Sequence, residues 1–215
     1  MNSRFDRRVV PESILDFVRA AQARIPCHLG GGAALSGAYL SHRLTGDIDL
    51  FVHGERERHR ELAQALPEVA ESSGCTLRVL RDAGHLIRAR LESREGVTEL
   101  DLVHEPIPDV AGSQPEIEGV VVEALEDLRA NKLTCILSRS EPRDLVDLFF
   151  LDRAGFAAVD DLDIALRKDA GIDPAVLAWL LSTFPLSPLP PMLDPLSETQ
   201  LKEFRDRLAA RFKEV

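Results

Sequence analysis

Three short stretches in the first half of the chain alternate apolar and polar residues with the period of a half-buried strand. Over residues 47–52, Ile48, Leu50 and Val52 take one side, and Asp47 and Asp49 take the other. Residues 85–91 set Ile87, Ala89 and Leu91 against Arg88 and Arg90, and residues 97–103 set Leu100 and Leu102 against Glu99 and Asp101. A further strand is expected over 76–80, with tight turns at Asp82-Ala83-Gly84 and Ser93-Arg94-Glu95-Gly96. Placed in one sheet, these strands present an apolar face to helices. Their other face gathers Asp47, Asp49, Asp101 and two arginines.

Elsewhere the apolar spacing is helical. Residues 11–24 carry Ile14, Leu15, Val18 and Ala21, and residues 56–71 carry Leu62, Ala65, Leu66 and Val69. A short strand over 27–29 leads into Gly30-Gly31-Gly32, and a helix is expected over 33–41 despite Gly37. Past residue 120 an apolar run becomes helical through Leu125, Leu128, Leu133, Ile136 and Leu137. A second helix over 142–152 is expected to take Ser140 as its cap, with Pro142 in its first turn. Helices over 159–168 and 174–183 follow, the latter capped by Asp173. Residues 185–195 hold Pro185, Pro188, Pro190, Pro191 and Pro195 and read as an extended linker. Ser197 and Gln200 have capping-box spacing ahead of a stripe of Leu201, Phe204, Leu208 and Phe212. The reading is an α+β fold: a mixed β-sheet core flanked by helices over 1–120, and a helical C-terminal region over 121–215.

Two ionised carboxylates one pleat apart repel unless something positive lies between them. Oxygen-only ligands suit Mg²⁺ or Mn²⁺, which are commonly held by one or two carboxylates together with substrate phosphates. The glycine turn upstream supplies a complement. Without a β-carbon its backbone can approach a phosphate, and the amides of the helix that follows favour an anion. Asp101 adds the third acid that a two-metal site would need.

The chain has 215 residues, 45% hydrophobic and 29% charged, enough to bury a full core. A net charge of -10 excludes a general nucleic-acid coat but leaves room for a local basic groove. Arg78, Arg81, Arg88, Arg90 and Arg94 form one basic cluster, and Arg129, Lys132, Arg139 and Arg143 form another. Cys27, Cys75 and Cys135 are odd in number and widely spaced, as in reduced core thiols. The first eight residues lack a signal-peptide apolar core, and no apolar run reaches the roughly 18 residues of a membrane helix. A cytoplasmic protein with no membrane partner is therefore expected.

These motifs together resemble the nucleotidyltransferase toxins of the AbiEii/AbiGii type, within the DNA-polymerase-β-like superfamily. Gly31-Gly32-Ala33-Ala34-Leu35 is similar to that family's glycine turn, and the run from His42 through Asp47, Ile48 and Asp49 to Phe51 is similar to its acidic segment. The run from Lys132 to Arg139 and the Arg143-Asp144-Leu145-Val146-Asp147-Leu148 helix resemble its later motifs. The resemblance implies a nucleotidyltransferase core and an NTP held at Gly31, Gly32, Ala33, Arg43 and Lys132. It further implies metal at Asp47, Asp49 and Asp101, and catalysis by these acids with Lys132 and Asp147. Arg88 and Arg90 are further phosphate candidates, and for Arg43 and Asp147 a structural ion pair is the competing reading. Where the family carries a hydroxyl residue this chain has Ala33, so one side-chain hydrogen bond to phosphate is absent. The implied reaction is transfer of a nucleoside monophosphate to a hydroxyl on RNA such as tRNA, in a toxin–antitoxin or phage-defence setting with a cognate antitoxin. The alternatives are a degenerate fold serving as a nucleotide-binding or protein-interaction module, and a hydrolase using His42, His53 or His104.

Overall fold

A computed structural model of the chain describes residues 4–215; Met1, Asn2 and Ser3, part of the N-terminal stretch read above, lie outside the described residues. The chain divides into two compact units, Met1–Ala124 and Leu125–Val215. The first is built on a five-stranded sheet of order β1-β2-β5-β4-β3. Its strands are β1 (His28–Gly30), β2 (Asp47–His53), β3 (Thr76–Asp82), β4 (Leu86–Ser93) and β5 (Gly96–Glu105). β2 and β5 run parallel, and every other neighbouring pair is antiparallel. The sheet is therefore mixed. A parallel pair needs a long crossover, and helix α3 (Arg56–Ser72) with the β3–β4 hairpin supplies it.

The alternation of the strands decides which face is buried. Ile48, Leu50, Val52, Ala89, Leu91, Leu100 and Leu102 are all buried, whereas Arg88, Arg90 and Glu99 between them are exposed. Helix α1 (Glu12–Arg24) packs on α3, and α3 packs on β2, β3 and β5. They contribute Leu15, Phe17, Val18, Leu62 and Leu66, each fully buried. Each such side chain contributes about 1.5–3 kcal/mol of transfer free energy, so this layer is the main stabilising term of the unit.

The expected helix over 33–41 takes a different form. Helix α2 (Gly31–Ala34) is one turn long and widens into a π-helical segment, Leu35–Leu40, that ends at Ser41 with φ 54°. The Ser41 amide donates to the Ser36 carbonyl at 2.8 Å, one residue further back than an α-helix would reach. Gly37 lies in this segment where the chain packs closely. A β-carbon there would lie 2.8 Å from Val10 Cγ2, and the Asp6 amide donates to the Gly37 carbonyl at 2.8 Å, so the N-terminal segment docks directly on the bare backbone. A small hairpin, β6 (Glu116–Ile117) and β7 (Val120–Val121), completes the unit and leads to Val122, which bridges to Leu29.

The second unit is helical: α4 (Leu125–Ser138), α5 (Pro142–Arg153), α6 (Leu162–Lys168), α7 (Pro174–Ser182) and α8 (Glu198–Phe212). A 3₁₀ turn, Ala158–Asp161, precedes α6. Asp173 caps α7 by accepting from the Val176 amide, and the Ser197/Gln200 capping box opens α8. The stripe of Leu201, Phe204, Leu208 and Phe212 is buried. Ser140 does not cap α5. That helix begins after Glu141, with no side-chain cap: Pro142 has no amide hydrogen to satisfy, and the Asp144 amide donates to the Glu141 carbonyl at 3.0 Å.

Candidate active site

β1 ends at Gly30 and the chain reverses through Gly31, whose φ of +62° lies in the left-handed region that glycine adopts without strain. A β-carbon on Gly31 would overlap Oδ2 of Asp49. One on Gly32 would lie 2.7 Å from Nη2 of Arg43, which is buried and donates through Nη1 to the Leu44 carbonyl at 3.1 Å. The turn is thus glycine because a carboxylate presses on its first residue and a guanidinium on its second. Its first-turn amides, from Gly31 to Ala33, have no acceptor within the helix they begin. Ala33 is fully buried and brings only its backbone to this turn.

Strand register assembles the polar face. Parallel pairing sets Asp47 beside Glu99 and Asp49 beside Asp101. Antiparallel pairing continues each row: Glu99 beside Arg90 and then Arg78, Asp101 beside Arg88 and then Arg81. Two rows therefore cross the sheet, each reading acid, acid, arginine, arginine. Arg88 grips Asp101 with both prongs, Nε to Oδ1 at 2.8 Å and Nη2 to Oδ2 at 2.7 Å. That hydrogen bond is the foremost cause holding the Arg88 guanidinium above its ordinary pKa. A carboxylate has about four lone-pair sites, so Asp101 keeps capacity for a cation on the far side of Arg88.

The structure thus places Asp47, Asp49 and Asp101 on one face, with Gly31 against Asp49 and Arg43 beneath Gly32. Lys132 and Asp147 belong to the second unit, and there they meet each other. Lys132 Nζ lies 2.7 Å from Asp147 Oδ2 and 3.5 Å from Asp144 Oδ1, with all three side chains buried. Arg139 completes the network with two 2.8 Å bonds to Asp144, and this pairing leads the causes that raise its pKa. Sequence reasoning missed the Arg139–Asp144 pair, whose only signal is an i, i+5 offset across a helix break. The histidines considered for a hydrolase are held at separate places. His42 is buried after the wide turn, His53 lies 3.3 Å from Asp109, and His104 Nε2 lies 2.9 Å from the Gly54 carbonyl.

A family model for the nucleotidyl transferase AbiEii toxin of type IV toxin–antitoxin systems matches residues 16–215. The chain belongs to the AbiEii nucleotidyltransferase toxin family. Its solved relatives share the fold at low identity. JHP933 from Helicobacter pylori is 21% identical with a TM-score of 0.57, over 96% of this chain and 94% of that one. A candidate nucleotidyltransferase from H. pylori is 19% identical with a TM-score of 0.59, over 94% and 92%. The nucleotidyltransferase toxin MenT4 from Mycobacterium tuberculosis is 17% identical with a TM-score of 0.56, over 94% and 82%. No curated protein sequence matches the chain. Membership in the AbiEii family makes this chain a nucleotidyltransferase, and the acidic face beside the glycine turn is its candidate centre.

Proposed function

We propose that the chain transfers a nucleoside monophosphate from an NTP to a hydroxyl on RNA, with tRNA the expected acceptor. The observation that carries this reading is the contact of Asp49 with the Gly31 turn, in register with Asp101 and one pleat from Asp47. The donor set fits Mg²⁺ or Mn²⁺: three carboxylates, oxygen only, beside a cradle that a single β-carbon would fill. When bound there, the cation would neutralise charge at the α-phosphate and acidify the attacking hydroxyl.

The chain's own residues have defined tasks. The turn from Gly31 to Ala33 receives the triphosphate through backbone amides, with the buried Arg43 adding positive charge behind it. The acceptor oxygen attacks the α-phosphorus, the bond to the β-phosphate breaks, and pyrophosphate departs. Asp101 accepts the hydroxyl proton, while Arg88 fixes its orientation.

An RNA acceptor draws support from the arginine ends of the two rows. Arg78 faces Arg90 and Arg81 faces Arg88, and like charges directly opposite on a sheet are unfavourable. A polyanion along those columns would relieve that repulsion. Family membership supports a toxin role balanced by a cognate antitoxin. The test is incubation with each radiolabelled NTP, Mg²⁺ and total cellular RNA. Label on a discrete RNA band, abolished by chelation, is expected; label on no RNA with any NTP would reject an RNA acceptor.

A further inference from the structure

A second group of ligating side chains lies on the same face of the sheet, beyond Phe51. His28 on β1 pairs in register with Phe51, so His53, two residues further along β2, projects on the same side. The imidazoles of His28 and His53 stack with centroids 5.0 Å apart and planes inclined by 21°. Asp109, in the loop after β5, brings Oδ2 to 3.3 Å from His53 Nε2. One ligand atom from each of the three lies within 4.8 Å of the others, and His28, His53 and Asp109 are the group of this kind among the described residues. They line a cleft of about 500 Å³ together with Gln22, Phe51 and Gln114.

We propose that His28, His53 and Asp109 form a site for a divalent transition-metal ion of the Zn²⁺ class, separate from the acidic centre. Two imidazole nitrogens and one carboxylate are borderline ligands that suit Zn²⁺, whereas the all-oxygen set at Asp47, Asp49 and Asp101 suits Mg²⁺. At metal–ligand distances of about 2.0–2.2 Å, ligands around a tetrahedral ion stand roughly 3.4 Å apart. Side-chain movements of about an ångström would therefore close the group on an ion. The Gln114 amide donates to the same Asp109 oxygen, an outer contact of the kind that orients a ligating carboxylate. The cleft leaves a fourth position open to solvent. An ion here ties the loop bearing Asp109 to β1 and β2, and so holds the far end of the strand that carries Asp47 and Asp49.

The test is titration of the full-length, metal-free protein with Co²⁺, followed by its visible absorption and by displacement with Zn²⁺. One equivalent is expected to shift both imidazoles in histidine-resolved NMR spectra of the unaltered protein, distinct from any Co²⁺ taken up by the carboxylate centre. His53→Gln and Asp109→Asn should each weaken this imidazole-linked binding at least tenfold, whereas Asp49→Asn should leave the imidazole-linked equivalent unchanged. Absence of Co²⁺ binding, imidazole signals that do not move, or binding lost in Asp49→Asn but retained in the other two variants would overturn the proposal.

Discussion

Gly31 shows how one missing side chain shapes the centre. Its left-handed φ and its contact with Asp49 act together, so Gly31→Ala carries two separate penalties. The backbone strain costs about 1–2 kcal/mol of stability, to be read from urea unfolding. Displacement of Asp49 by even an ångström should lower transfer about a hundredfold. A variant that loses stability but keeps its transfer rate would show that Asp49 need not sit against the turn. The arginines of β3 carry a different expectation. Arg78→Ala with Arg81→Ala should leave NTP binding intact and flatten the dependence of RNA affinity on salt. The logarithmic slope should fall by roughly 0.7 for each phosphate that is no longer neutralised. An unchanged slope would remove the acceptor from that edge of the sheet.

Among the elements, α4 and α5 are fastened by charge as well as by apolar packing. Lys132 lies between Asp147 and Asp144 with almost no exposure, so Lys132→Met takes a cation from two buried carboxylates, of which Asp144 keeps Arg139. Removing one partner of a buried pair typically costs about 3–5 kcal/mol, and the same loss is expected here in chemical unfolding. Replacing Asp147 by Leu as well should recover part of it, since an apolar pair is better tolerated than an orphaned ion. If the double variant were no more stable than Lys132→Met, the Lys132–Asp147 pair would not be the origin of the loss. The strands and most helices were legible in the sequence because burial imposes a period: Ile48, Leu50 and Val52 alternate with acids, and Leu201, Phe204 and Leu208 recur at helical spacing. Asp47 and Asp49 were legible for the same reason, and the glycine turn by its missing β-carbons. What alternation cannot encode is register. The rows that join Asp49 to Asp101, Arg88 and Arg81, and the meeting of His28 with His53, exist only once strands far apart in sequence are aligned. The π-helical turn was hidden too, because apolar spacing does not distinguish an i→i−5 bond from an i→i−4 one.

The whole chain carries a net charge of -10, yet Arg78, Arg81, Arg88 and Arg90 stand together in the β3–β4 pair. Each of its two units has its own core, and among the described residues no helix is long and apolar enough to cross a membrane. The sheet unit holds the carboxylates and the glycine turn, and the helical unit holds the Lys132 network. Membership in the AbiEii family fixes the reaction class as nucleotidyl transfer. The position of the phosphate label reports that chemistry directly. With NTP labelled at the α-phosphate, radioactivity should enter RNA. With the label at the γ-phosphate it should leave as pyrophosphate. Asp49→Asn, folded as judged by its circular dichroism, should lose at least about a hundredfold of the α-label transfer, more than outer contacts of a metal site usually cost. Transfer of the γ-label to RNA, or α-label transfer undiminished in Asp49→Asn, would contradict the assignment of this face as a nucleotidyl-transfer centre.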